Sequence, residues 1–160
     1  MYHWSVLKQD RFLIAILAAV GILVISALLV FFLRQGSDEY GSEDTPEGVV
    51  RNYILAIHKE DFESAYKALQ DDPDRPSYQE YQQSFLAGRL DTSNVSVRIT
   101  EAKITGDNAV VKLILTHGGN RFLDGSWSEK GSAVLVLQNG NWKLVEMPYP
   151  YWAWEWDQKP

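Results

Sequence analysis

Apolar residues run without a charge from Phe12 to Leu33, give way to a polar stretch, and return as short apolar repeats whose spacing changes partway along the chain. The uncharged run, FLIAILAAVGILVISALLVFFL, is long enough as a helix to cross a hydrocarbon core about 30 Å thick. It predicts a transmembrane helix over residues 12–33. Lys8 and Arg11 precede the run, whereas Arg34 beyond it is followed by Asp38, Glu39, Glu43 and Asp44. The positive-inside bias therefore places residues 1–11 in the cytoplasm and everything after the span outside the cell membrane. A cleaved signal peptide is the rival reading, but its apolar region is about 7–15 residues long and ends at small residues. This run is longer and ends in Phe31, Phe32 and Leu33, so an uncleaved signal anchor is expected.

Residues 34–45 are polar, acidic and contain Gly and Ser, which predicts a flexible linker with too little apolar surface to order itself. Thr45-Pro46-Glu47 then reads as a helix start, with a capping hydroxyl, a proline in the first turn and an acid facing the dipole. Val49, Val50, Tyr53, Ile54 and Ile57 follow at helical spacing and end near His58, where the imidazole is expected to meet the helix C-terminus. Asp61 opens a second helix carrying Phe62, Ala65, Tyr66 and Leu69. The prolines of Asp71–Pro76 interrupt the pattern. Ser77 with Glu80 forms a capping box for a third helix bearing Tyr78, Tyr81, Phe85 and Leu86, which Gly88 ends.

From Asp91 the spacing becomes alternating. Val95, Val97 and Ile99 share one parity and Ala102 and Ile104 the other, so a bulge near Thr100 is expected. The near-continuous apolar stretch Ala109–Thr116 predicts a central strand covered on both faces. Asn139-Gly140 is the hairpin signal joining a strand at 127–138 to one at 142–147. Four strands in an antiparallel meander follow, giving an α+β domain after the anchor.

Composition narrows the chemistry. Cysteine is absent, so packing alone stabilises the domain. After the span, 13 basic residues face 20 acidic ones, a net charge of −7 that opposes nucleic acid and anionic lipid as partners. His3, His58 and His117 lack metal-ligand spacing, and no phosphate loop or nucleophile elbow occurs. The acidic loop Asp71, Asp72, Asp74 lacks the spaced ligands of a calcium site and reads as a solvated turn. No catalytic, metal-binding or cofactor-binding residue is assigned.

The order of elements and the motif PEGVVRNYILAIHKEDFESAYKAL, residues 46–69, resemble the nuclear transport factor 2-like superfamily of cone-shaped, cystatin-like α+β domains. The resemblance covers about residues 46–148 and implies a bacterial, extracytoplasmic domain in which a curved sheet of about four strands wraps three helices. In that superfamily the cone opening serves catalysis, ligand binding or dimerisation. Enzymatic members resembling ketosteroid isomerase or scytalone dehydratase carry a carboxylate with tyrosine or histidine partners inside the cone. Tyr53, Tyr66, Tyr81, His117 and Asp124 are the residues here that such a site would use. The plainer reading makes them core tyrosines and a loop histidine.

The stretch Pro148–Trp156, PYPYWAWEW, within the 149–160 tail, is the most aromatic part of the chain. In an extended conformation Trp152, Trp154 and Trp156 fall on one side as an apolar band. Such a band closes the domain's own cone, meets a partner protein, or rests at the lipid headgroups. Tyr53, Tyr66, Tyr81, His117, Trp127, Tyr151, Trp152, Trp154 and Trp156 are accordingly the candidate binding residues. The expected role is a noncatalytic binding or interaction module, acting on a protein partner or as a homodimer. A small lyase or isomerase, and a spacer in a membrane complex, are the alternatives.

Overall fold

Uninterrupted apolar sequence gives the first element, helix α1 at Leu7–Gln35, whose 29 residues span about 43 Å at 1.5 Å per residue. The computed structural model describes residues 7–35, 39–118 and 125–157, in two units that divide after Glu39. Within α1, Leu13–Val30 is wholly unburied and is long and apolar enough to cross a membrane. Its one hydroxyl, on Ser26, donates to the Ile22 carbonyl at 2.8 Å and so leaves no polar atom needing a partner outside the helix.

In the second unit the helix signals act where they were read. Helix α2, Pro46–His58, is capped by the Thr45 hydroxyl, which accepts from Gly48 N at 3.2 Å. Its end is a left-handed turn at Glu60, φ 58°, with Glu60 N donating to Ile57 O and Asp61 N to Ala56 O. Asp61 at once caps α3, Phe62–Lys67. Ser77 and Glu80 form the capping box of α4, Tyr78–Leu86, and Gly88 follows at φ 70°.

Strands β1 (Val95–Thr105), β2 (Asn108–His117), β3 (Trp127–Gln138) and β4 (Asn141–Glu146) form one antiparallel sheet in sequence order. A bulge between Ile99 and Glu101 resets the parity of β1. Val97 and Ile99 oppose Leu115 and Leu113, while Ala102 and Ile104 oppose Val111 and Ala109, so both sets lie on the face that packs against the helices. Asn139 and Gly140 take positive φ, as a two-residue hairpin turn demands. The β2 expectation needs correction. Ala109, Val111, Leu113 and Leu115 are buried, but Val110 and Lys112 are exposed, because the helices cover only one face of the sheet. Apolar residues on the outer face made the strand read as doubly covered.

Two segments differ from their sequence reading. The second half of the expected 34–45 linker, Tyr40–Thr45, is held against the domain. Asn52, 4% exposed, accepts from Gly41 N and donates to Gly41 O, both at 2.8 Å, and also reaches Glu43. The Tyr40 hydroxyl donates to Asp61 at 2.7 Å. Polar bonds order this stretch, and the linker reading weighed only apolar burial. The aromatic tail is likewise not an extended band: after cis Tyr149–Pro150, Tyr151, Trp152 and Ala153 are buried, and Trp154–Asp157 winds into a 3-10 turn that sends the three indoles to different places.

Candidate functional site

Tyr151 is the bolt of the domain. Its carbonyl accepts from the Tyr53 hydroxyl at 2.8 Å, and its own hydroxyl lies 2.8 Å from His58 Nε2 and 3.3 Å from Val95 O. The tail thereby ties α2 to the start of β1. His58 lies in the last turn of α2, as expected; partial burial there lowers its pKa, which favours neutral imidazole beside the phenol. Gly131 makes room for the tail, since a Cβ there would meet Pro148 Cβ and Cγ at 2.9 Å and Leu115 Cδ1 at 3.0 Å.

The candidate tyrosines separate by environment. Tyr53, Tyr81 and Tyr151 are fully buried among Leu113, Leu115, Leu135 and Leu144, and burial pushes all three phenols well above their ordinary pKa. They stay protonated and cannot serve as bases near neutral pH. The Tyr81 hydroxyl has no well-aligned hydrogen-bond partner, yet it faces the Tyr53 phenol closely enough for a hydrogen bond and a charge interaction between the two to act on both groups. Tyr66 is half-buried; it donates to Pro76 O at 2.8 Å and carries the Arg75 guanidinium over its ring at 4.7 Å.

His117 and Trp127 lie apart from this group. Their rings stack at 4.0 Å across β2 and β3, and His117 Nε2 meets Glu129 at 2.9 Å. Asp124, the candidate carboxylate of the enzymatic reading, lies outside the described residues. Among the described residues the buried polar side chains are Asn52 and Ser84, and no group of acids and histidines is placed to hold a metal.

The indoles of the tail take three roles. Trp152 is buried, and Trp156 meets it edge-on at 5.1 Å while resting on Tyr81 at 5.3 Å. Trp154 is 69% exposed and, with Tyr149 at 60%, borders a depression of about 490 Å³ completed by Arg89, Leu90, Ala153 and Glu155. Arg89 is fixed there by Ser84 at 2.7 Å and Glu155 at 3.1 Å. Sequence reasoning passed over Arg89 and Asn52 because a lone arginine and a mid-helix asparagine carry no local signal. Tyr149 was within the aromatic run and is distinguished only by its exposure.

No protein-family model matches the chain, and no curated protein matches it. Solved structures do. A SEC-C motif containing protein of Rhodopseudomonas palustris is 16% identical over 68% of this chain and 81% of its own, with a TM-score of 0.50. An NTF-2-like protein of unknown function from Shewanella oneidensis is 11% identical over 62% and 90%, with a TM-score of 0.46. An uncharacterized cystatin-fold protein of Novosphingobium aromaticivorans is 13% identical over 66% and 100%, at 0.44. The likeness is one of fold. It agrees with the α+β arrangement and carries no activity with it.

Proposed function

We propose that this chain is a single-pass membrane protein of the nuclear transport factor 2-like superfamily, its folded domain outside the cell membrane, acting as a noncatalytic interaction module. The observation that carries the reading is the pair Tyr149 and Trp154, exposed on a segment whose neighbouring residues Tyr151 and Trp152 are locked in the core. Large rings held on a rigid base lose little entropy on contact, which is why such residues dominate protein interfaces. The net acidity after the span favours a basic or neutral partner. The lyase reading is weakened because the room it needs around Tyr53 and Tyr81 is filled by leucine and tyrosine side chains.

Two measurements test this. The chain has no cysteine, so Lys103→Cys gives a unique label in the exposed part of β1. A membrane-impermeant maleimide should label it in intact cells, and labelling only after lysis would place the domain in the cytoplasm and end the proposal. A photoreactive residue at position 154 should crosslink a discrete protein in the membrane that the same residue at Asp107, on the β1–β2 turn, does not. Identical products from both positions would remove the interface.

A further inference from the structure

We propose that a niche between the Asp71–Pro76 loop and the indoles of Trp152 and Trp156 binds a small alkylated ammonium ion, a site separate from the Tyr149 and Trp154 surface. The niche has a volume of about 220 Å³, small for a metabolite and suited to a compact headgroup. Trp152 and Trp156 meet at 78°, so they form an aromatic corner rather than a stack. Leu69, Leu144 and Val145 add apolar surface, and the acidic residues Asp72 and Asp74 belong to the same lining. Aromatic faces attract a cation through their quadrupole, and the attraction grows where water is displaced.

Charge decides the sign of the occupant. Arg75 also lines the niche, but its guanidinium lies over the Tyr66 ring and pairs with Asp71 at 3.3 Å. The loop Asp71–Pro76 carries three carboxylates and one guanidinium, a formal charge of −2 that disfavours an anion. Indoles offer no lone pairs to a metal ion, and a strongly hydrated cation does not give up water to them. An ammonium carrying methyl groups presents an apolar, weakly hydrated surface to the rings and a positive charge to the carboxylates.

The walls are set before any ligand arrives. The Gln138 side-chain amide accepts from Asp71 N at 2.9 Å and donates to Asp71 O at 3.0 Å. Asp74 N donates to Asp72 Oδ1, and Gln70 N to Leu144 O at 2.7 Å, so loop and sheet are stitched together beside the tail. A preorganised site avoids the ordering cost that a mobile loop would impose.

Tetramethylammonium chloride, titrated into the full chain in maltoside micelles against matched sodium chloride, tests the assignment by the indole N–H resonances, with Trp152→Phe and Trp156→Phe giving their assignments. Saturation in the millimolar range confined to the Trp152 and Trp156 signals is expected. Asp72→Asn with Asp74→Asn keeps the Asp74 N bond and should weaken binding by about tenfold or more, while Arg75→Gln should tighten it. Non-saturating shifts across all indoles would overturn the proposal, as would saturation by sulfate that Arg75→Gln abolishes. Given saturation, nanodiscs of phosphatidylcholine and of phosphatidylglycerol separate the sources: the same two signals moving only in the former assigns a lipid headgroup, and no movement assigns a free ammonium.

Discussion

Replacing Tyr81 by phenylalanine should stabilise the domain, contrary to the usual result of altering a fully buried side chain. The ring packs against Tyr66, Phe85 and Trp156 at centroid distances of 5.2 to 5.4 Å, and phenylalanine retains all of it. Only the hydroxyl is lost, and that hydroxyl is buried with no more than a poorly aligned hydrogen bond to the Tyr53 phenol. A buried polar group left without a good partner costs about 1–3 kcal/mol and a hydrogen bond returns about 1 kcal/mol of that, so Tyr81→Phe should gain about 1 kcal/mol after allowing for the Tyr53 interaction. For a domain of this size the melting midpoint should rise by roughly 5 °C. Tyr53→Phe is the matched control: it deletes the bond to Tyr151 O and should cost about 1 kcal/mol. Urea unfolding in micelles, followed by near-ultraviolet circular dichroism, measures both. A loss of 1 kcal/mol or more in Tyr81→Phe would show that the hydroxyl has a partner, such as a trapped water, and would refute the reasoning.

Three further outcomes are expected. Burial lowers the His58 pKa below its unfolded value near 6.5, so the unfolded chain binds the extra proton first and stability should fall as pH drops below about 6.5. The hydrogen-bonded carboxylates of Asp61, Glu80, Asp91 and Glu101 also have lowered pKa values, but their losses begin only below about pH 5; His58→Gln should therefore flatten the upper part of the titration of stability and leave the lower. Gly131→Ala should cost about 1–3 kcal/mol in urea unfolding, because the new methyl group presses on Pro148 and Leu115 at or within 3.0 Å. Glu60→Gly should gain about 1 kcal/mol by relieving a left-handed residue at the end of α2, and an unchanged midpoint would show that another contact of Glu60 offsets the strain.

Local chemistry made the helices and strands legible. Thr45, Asp61 and the Ser77–Glu80 pair mark three helix starts through bonds that span three residues, and the change of parity around Thr100 announces a bulge that any one-sided strand would need. Long-range polar contacts left no such trace. Nothing near Asn52 in sequence says that it will bond Gly41, and nothing near Gln138 says that it will hold Asp71, 67 residues away. The candidate site shows the same division. Trp152, Trp154 and Trp156 were recognisable as a group by composition, but their separation into buried, exposed and niche-lining rings depends on a short 3-10 turn that alternating residues do not signal. Likewise Asp71, Asp72 and Asp74 read as a solvated turn, which the largely exposed loop is, but nothing near them in sequence says that Asp72 and Asp74 will share a niche with Trp152 and Trp156.

The bond from Tyr53 to Tyr151 joins residues 98 positions apart. During synthesis, α2 and the sheet must therefore wait, with their apolar seam uncovered, until the segment around Tyr151 has been made. Maturation waits on this single late arrival, and a stalled or clipped polypeptide lacking it should display the seam to quality-control proteases rather than persist as a smaller working domain.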